Sequence, residues 1–232
     1  MGHDGQRGER REVELKIRLR SQQDFLALLR AAGGEVSPPV TQENHFFDTA
    51  DQALNRAKLA CRLRREAGRF TLTLKGPTQA TAGGLVSDRR EEEIELGAGV
   101  AAAVLAQELQ PLVAMREAPG MDESRRALIG EIETHTGGAS LVRLGAFENE
   151  RTRVAATLDL GRGPEPFTLE FDRTTFPGGK VEYEVELELS RGEDPAAAER
   201  ALASLCAAAR VEGEPAPSKA KRFFAALARR GG

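Results

Sequence analysis

Six stretches of this chain alternate apolar and polar residues with a period of two, and their polar members come in blocks of charge. In "REVELKIRLR", Val13, Leu15, Ile17 and Leu19 take one side while Glu12, Glu14, Lys16 and Arg18 take the other. Leu59, Cys61 and Leu63 alternate with Arg62 and Arg64; Leu72 and Leu74 alternate with Thr71, Thr73 and Lys75. Ile94 and Leu96 oppose Glu91, Glu93 and Glu95, and Leu169 and Phe171 oppose Glu170 and Asp172. The last stretch sets Val181, Tyr183, Val185, Leu187 and Leu189 against Glu182, Glu184, Glu186 and Glu188. A period of two places successive side chains on opposite faces of a β-strand. A sheet with one solvated face gives the same alternation and is the commoner explanation for any single strand. Blocks of like charge are harder to explain that way, because like charges on one face repel and weaken a strand. They make sense if the strands close into a barrel, with the charged faces inward and helices over the apolar outside.

The rest of the chain supplies turns and helices for that barrel. "SQQDFLALLRAAGG" predicts a helix that Ser21 caps and Gly33 and Gly34 stop. "CRLRRE", "AGR" and "FTLTLKGP" read as a hairpin, and "PGG" turns a second one between "EPFTLEFDRTTF" and "KVEYEVELELS". "VTQENHFFDTADQAL" reads as a strand running into a turn that Asp48 and Thr49 shape. Residues 99–115 look helical up to Pro111, while residues 122–137 are ambiguous. "DPAAAERALASLCAAARV" predicts a helix with Asp194 as cap and Pro195 in its first position, and "SKAKRFFAALARR" a short final helix. About eight strands with interspersed helices indicate an α+β fold, a closed antiparallel eight-stranded barrel with a charged interior, rather than a parallel βαβ sheet. Residues 1–10 are expected to be a disordered tail, and residues 11–230 a single domain.

The bulk properties restrict the partners. The chain has 232 residues, 30% of them charged, with a net charge of −3. This balance argues against general binding to nucleic acid or to anionic membranes. No apolar run approaches membrane-spanning length. The two cysteines, Cys61 and Cys206, are too few for a disulfide framework or a zinc cluster and read as small buried hydrophobes in a reducing cytoplasm. His45 reads as structural. The expected state is a monomer or a homodimer.

An interior lined by both signs suggests a particular guest. Lys16, Arg62, Arg64, Lys75, Arg151, Arg153 and Lys219 suit a polyanion, because guanidinium forks match phosphate oxygens. The acids would repel that polyanion unless a cation sat between them. Carboxylates without a His or Cys cluster favour the hard ions Mg²⁺ or Mn²⁺. The charge pattern therefore points to a tunnel for a metal–polyphosphate complex.

The ordered set "EVELK", "NHFFDT", "CRLRRE", "LTLKGP", "REEEIEL", "FENERTR", "LEFD", "EYEVELE" and "SKAKRF" resembles the triphosphate tunnel metalloenzymes, or CYTH superfamily, from Glu12 to about Phe224. It is most similar to the small members that hydrolyse inorganic tripolyphosphate. The resemblance implies that Glu12, Glu14, Glu184 and Glu186 help hold divalent metals, with Asp172 and Glu170 on one acidic strand in a metal or water role and Glu93 and Glu95 as further ligands. It implies that Lys16, Arg62, Arg64, Lys75, Arg151, Arg153 and Lys219 grip phosphates, with Arg90 as an extra phosphate ligand. Glu12 or Glu184 is the expected proton acceptor, and Lys75 the third catalytic group. The expected reaction converts tripolyphosphate to pyrophosphate and phosphate. Thiamine triphosphate hydrolysis and ATP cyclisation of the class IV adenylate cyclase type are the alternatives, and a non-catalytic polyphosphate-binding module is a third.

Overall fold

The computed structural model describes residues 11–80, 85–190 and 192–229. The expected tail over residues 1–10 lies outside them. In chain order, β1 (Arg11–Leu19) is followed by α1 (Gln22–Ala32), β2 (Glu35–Val36), β3 (Val40–Asp48) and the single turn α2 (Ala53–Arg56). The hairpin β4 (Ala60–Glu66) and β5 (Arg69–Lys75) precedes β6 (Gln79–Ala80) and β7 (Val86–Leu96). Three helices then intervene: α3 (Ala98–Leu105), α4 (Pro111–Glu117) and α5 (Glu123–Thr136). The long strand β8 (Val142–Asp159), β9 (Pro164–Thr175) and β10 (Val181–Leu189) complete the sheet. Helix α6 (Pro195–Ala209), β11 (Gly213–Pro215) and α7 (Lys219–Ala228) follow.

Local chemistry sets most of these boundaries. Ser21, Asp122, Asp194 and Ser218 each accept a backbone N–H in the first turn of α1, α5, α6 and α7, satisfying donors that a helix start leaves open. Gly33 and Gly137 end α1 and α5 in the left-handed region. The helical run expected from residue 99 up to Pro111 stops at Leu105, and Pro111 begins the next helix. It opens α4 at a position where its missing N–H costs nothing, and the ambiguous segment 122–137 is helix α5.

Eight strands form a closed antiparallel barrel in the order β1, β10, β9, β8, β3, β4, β5, β7, and β7 returns to β1. The free edge of β1 is divided. Arg11–Leu15 pair with β7, whereas Ile17–Leu19 pair with β11. An eight-stranded barrel leaves an interior just wide enough for side chains or one small ligand. Its outer face is apolar and buried under helices. Leu15, Ile17, Val154, Leu169, Phe171, Val185 and Leu187 lie in a core with Leu28 of α1 and Leu202 of α6. Cys61, Leu63, Leu72, Leu74 and Ile94 share a second core with residues of α2 to α5. A third, aromatic core joins Phe46, Phe147 and Phe176 to Phe223 and Phe224 of α7. Phe46 and Phe223 stack with ring centroids 4.9 Å apart. Gly145 sits at the β3–β8 irregularity with φ of +152°, and a Cβ there would come within 3.3 Å of the Phe223 ring. That close approach is what docks α7 against the barrel.

Candidate functional site

The inward faces enclose a cavity of about 410 Å³ lined by nine basic and seven acidic side chains. Register explains why they meet. Glu12 of β1 lies opposite Arg89 of β7, Lys16 opposite Glu186 of β10, and Arg151 of β8 opposite Asp172 of β9. Arg62 of β4 lies opposite Thr73 of β5, which lies opposite Glu93 of β7.

Three groups of charges divide the interior. The first surrounds the N-terminal acids. Lys75 Nζ lies 3.0 Å from Glu12 and 2.9 Å from Glu91, and Arg89 Nε lies 2.7 Å from Glu12. Lys16 Nζ lies 3.2 Å from Glu14 and 2.6 Å from Glu186. Burial alone would raise the Glu12 carboxyl, but Lys75 and Arg89 outweigh it and hold it well below the usual carboxylate range. Burial pushes the neighbouring Glu91 up to about 8, and the Glu12 carboxylate beside it adds to the rise against the pull of Lys75. Two acids this close hold one proton between them.

The second group is deeper. One oxygen each of Asp172, Glu184 and Glu186 lies within 4.8 Å of the others, and all three residues are buried. Arg151 donates Nε to Asp172 Oδ1 at 2.8 Å and Nη2 to Glu186 at 2.7 Å, and it also pairs with Glu170. Lys219 Nζ lies 2.7 Å from Asp172 and 2.8 Å from Glu186 and contacts Glu184. Burial opposes ionisation of Asp172, but Lys219 and Arg151 more than compensate and keep it a carboxylate. The trio offers hard oxygen donors alone, the set a divalent Mg²⁺ or Mn²⁺ accepts.

The third group is positive and incompletely matched. Arg62 donates Nη2 to Thr73 at 3.4 Å, its contact with Glu93 is 3.7 Å, and its buried Nε has no partner. Arg64 donates Nε to Asn44 Oδ1 at 3.2 Å, and among the described residues no carboxylate pairs with it. Burial, with Arg62 and Arg151 nearby, lowers the Arg64 guanidinium to about 10. Cations drawn out of water with too little counter-charge are costly, and this pair can accept an anion.

Most of the expected residues line this cavity: Glu12, Glu14, Lys16, Arg62, Arg64, Lys75, Glu93, Arg151, Arg153, Glu170, Glu186 and Lys219. Asp172 and Glu184 lie behind its surface, 0% and 1% exposed. Arg153 sits toward the rim, 3.0 Å from Glu170 and 3.6 Å from Glu66. Two expected residues lie elsewhere. Glu95 is exposed beyond the cavity, opposite Thr71 near the end of β7. Arg90 points to the outer face and pairs with Glu131 of α5, because it has the opposite parity to Glu91. The residue one step earlier, Arg89, faces inward and bridges Glu12 and Glu14. Parity counted back from Glu91 would have selected it. Glu188, in line with Glu184 and Glu186, also lines the cavity. So do Gln42 and Asn44, whose neutral side chains carry no charge signal in the sequence.

The comparisons with known proteins agree with this architecture. The CYTH domain model matches residues 10–224. A Bacillus subtilis (strain 168) relative, named "Putative triphosphatase YjbK", is 25% identical over 177 residues, covering 76% of this chain and 85% of the relative. The structure of HpAC1 from Hippeastrum, named as an adenylyl cyclase and described as revealing a dominant triphosphatase activity, aligns with a TM-score of 0.75. Its sequence is 26% identical, and the match covers 92% of this chain and 95% of that one. A Bacillus halodurans protein, bh2851, named for an adenylate cyclase, shares the fold with a TM-score of 0.61 at 22% identity, over 92% of this chain and 98% of its own. With a closed barrel, a charged interior and a family match over nearly the whole chain, this protein belongs to the CYTH domain family.

Proposed function

We propose that this protein is a metal-dependent triphosphatase whose preferred substrate is inorganic tripolyphosphate. Arg62 and Arg64 carry the reading: two inward guanidiniums of an acid-lined cavity, Arg64 without an ion pair among the described residues and Arg62 with only a loose one to Glu93 at 3.7 Å. A triphosphate supplies the missing negative charge, and the names borne by YjbK and HpAC1 point the same way. Arg62, Arg64, Lys16, Arg151, Arg153 and Lys219 bind phosphate oxygens, and Lys75 stands beside the Glu12–Glu91 pair to neutralise charge on the transferred group. Glu12, Glu14, Glu93, Asp172, Glu184 and Glu186 supply carboxylate oxygens to Mg²⁺ or Mn²⁺. An ion held there would neutralise phosphate charge and make a nearby water more acidic. Water attacks a terminal phosphorus, the bridging P–O bond breaks, and orthophosphate and pyrophosphate leave. Glu12 or Glu184 is the acid we assign to take the proton of that water; Lys75 and Arg89 hold Glu12 ionised and make it a weak base until the phosphates draw those cations away. Positioning and charge neutralisation supply most of the acceleration in such transfers. Both cysteines are free and buried, which fits a reducing cytoplasmic setting.

A second cavity of about 610 Å³ adjoins the first through Glu170 and Glu188 and is also lined by Phe167 and Thr168. It offers room for an organic group on a triphosphate, so ATP and thiamine triphosphate are the alternative substrates. The test is product analysis with tripolyphosphate, ATP, thiamine triphosphate and pyrophosphate, each with Mg²⁺ and with Mn²⁺. Orthophosphate and pyrophosphate from tripolyphosphate are expected, with turnover lower by about 10²–10³ in Glu14→Ala and Lys75→Ala. Cyclic nucleotide from ATP as the main product, or full activity in either variant, refutes the reading.

A further inference from the structure

The deepest carboxylates of the tunnel already hold a cation, and it belongs to the chain. Asp172, Glu184 and Glu186 are buried and mutually close, so without compensation they would repel one another strongly. The Lys219 ammonium donates hydrogen bonds to Asp172 and Glu186 and stands in ion-pair contact with Glu184, whose Oε1 has no hydrogen-bond partner. Its side chain is 13% exposed. It comes from the first turn of α7, which is fixed further along. Arg222 pairs with Glu182 and Glu184 and lies 5.3 Å over the Phe176 ring, and Phe223 is fully buried. The seat, the ammonium and the position of α7 are therefore mechanically connected.

We propose that Lys219 and a divalent cation compete for this one seat, so that loading a metal on Asp172, Glu184 and Glu186 expels the Lys219 ammonium into the cavity. This rests on the metal-dependent reading above and adds an exchange to it. A divalent ion and an ammonium cannot both sit among oxygens within 4.8 Å of each other. The divalent ion brings twice the charge and stronger bonds to carboxylate oxygens. Ser218, Lys219 and Ala220 all line the cavity, so the released ammonium enters the space a polyanion would occupy. The metal then does two things at once: it neutralises the trio and frees a cation for the phosphates. In the metal-free protein the same lysine holds the first turn of α7 against the barrel.

Two measurements test this without turnover. Mn²⁺ affinity is measured by calorimetry for the wild type and for Lys219→Met, with no phosphate present. Removing the competitor should tighten binding by roughly 5- to 150-fold, the usual size of coupling between two binding events, while Lys219→Arg, which keeps a cation, should stay near the wild type. In the wild type, labelling of Lys219 by an amine-reactive reagent, read by mass spectrometry, should rise as Mn²⁺ saturates. This second readout needs no variant to fold. Equal or weaker Mn²⁺ binding in Lys219→Met, or labelling unaffected by Mn²⁺, overturns the exchange. If that happens while tripolyphosphate is still hydrolysed with metal, the functional reading stands without it. If neither Mn²⁺ nor tripolyphosphate binds either protein, both fall.

Discussion

Replacing Arg64 by Met should stabilise the ligand-free protein while destroying its affinity for a triphosphate. Arg64 is half-buried, makes one hydrogen bond to Asn44 and has no ion pair among the described residues. Its guanidinium is pushed down to about 10 by burial and by Arg62 and Arg151. A shift of that size disfavours the charged form by roughly 3 kcal/mol, at about 1.4 kcal/mol per unit. Partial solvent access at the open cavity cuts this to about 2 kcal/mol. Losing the hydrogen bond to Asn44 returns about 1 kcal/mol. The net expectation is a gain of about 1 kcal/mol, or a Tm higher by roughly 2–4 °C for a domain of this size. Arg151 is the internal contrast. It pairs with Asp172, Glu170 and Glu186, so Arg151→Met strands buried acids and should cost about 3–5 kcal/mol. The assay is thermal unfolding in metal-free and phosphate-free buffer, repeated with tripolyphosphate and Mg²⁺. At a hundredfold excess over Kd, ligand should stabilise the wild type by about 2.7 kcal/mol and Arg64→Met hardly at all. An Arg64→Met protein that melts lower than the wild type without ligand would refute the reasoning, because Arg64 would then have to be neutralised by the protein itself.

Other perturbations separate structure from site. Glu91 is raised to about 8 by burial and its Glu12 neighbour, so the folded state holds its proton from the usual carboxylate range up to about 8 while the unfolded chain does not. Stability from this group is therefore lost as pH rises through that window; Glu91→Gln should match the metal-free wild type near pH 4, pull ahead of it as pH rises, and exceed it by about 2 kcal/mol or more from pH 8 upward in urea titrations. Arg90→Ala removes an outward pair with Glu131 and should change stability by less than about 1 kcal/mol and leave kcat/KM intact. Arg89→Ala, one residue away, should lower kcat/KM by about 10²–10³ because Glu12 and Glu14 lose their shared partner. Phe223→Ala empties a fully buried ring from the aromatic core and should cost about 3–5 kcal/mol, read as an earlier denaturant midpoint.

Much of this fold is legible in the sequence because its signals are local. A side-chain period of two, the caps Ser21 and Asp194 and the turn glycines act over a few positions, so they place strands, helices and hairpins without knowledge of the whole. Parity likewise assigns Glu12, Glu14, Lys16, Arg62, Arg64 and Lys75 to a common surface. The failures are also matters of parity and reach: Arg90 is one residue off the inward row, and Glu95 is on it but too far along β7. Which acid meets which base is a different kind of fact. Lys16 lies against Glu186, Arg151 against Asp172, and Lys219 among three carboxylates only because the barrel closes with one stagger between its strands. A shift of one residue in any ladder would turn a whole row of side chains to the other face. The chain's own letters thus settled which residues face inward; closure of the sheet and the docking of α7 decided which of those charges are cancelled and which, like Arg64, are left for a guest.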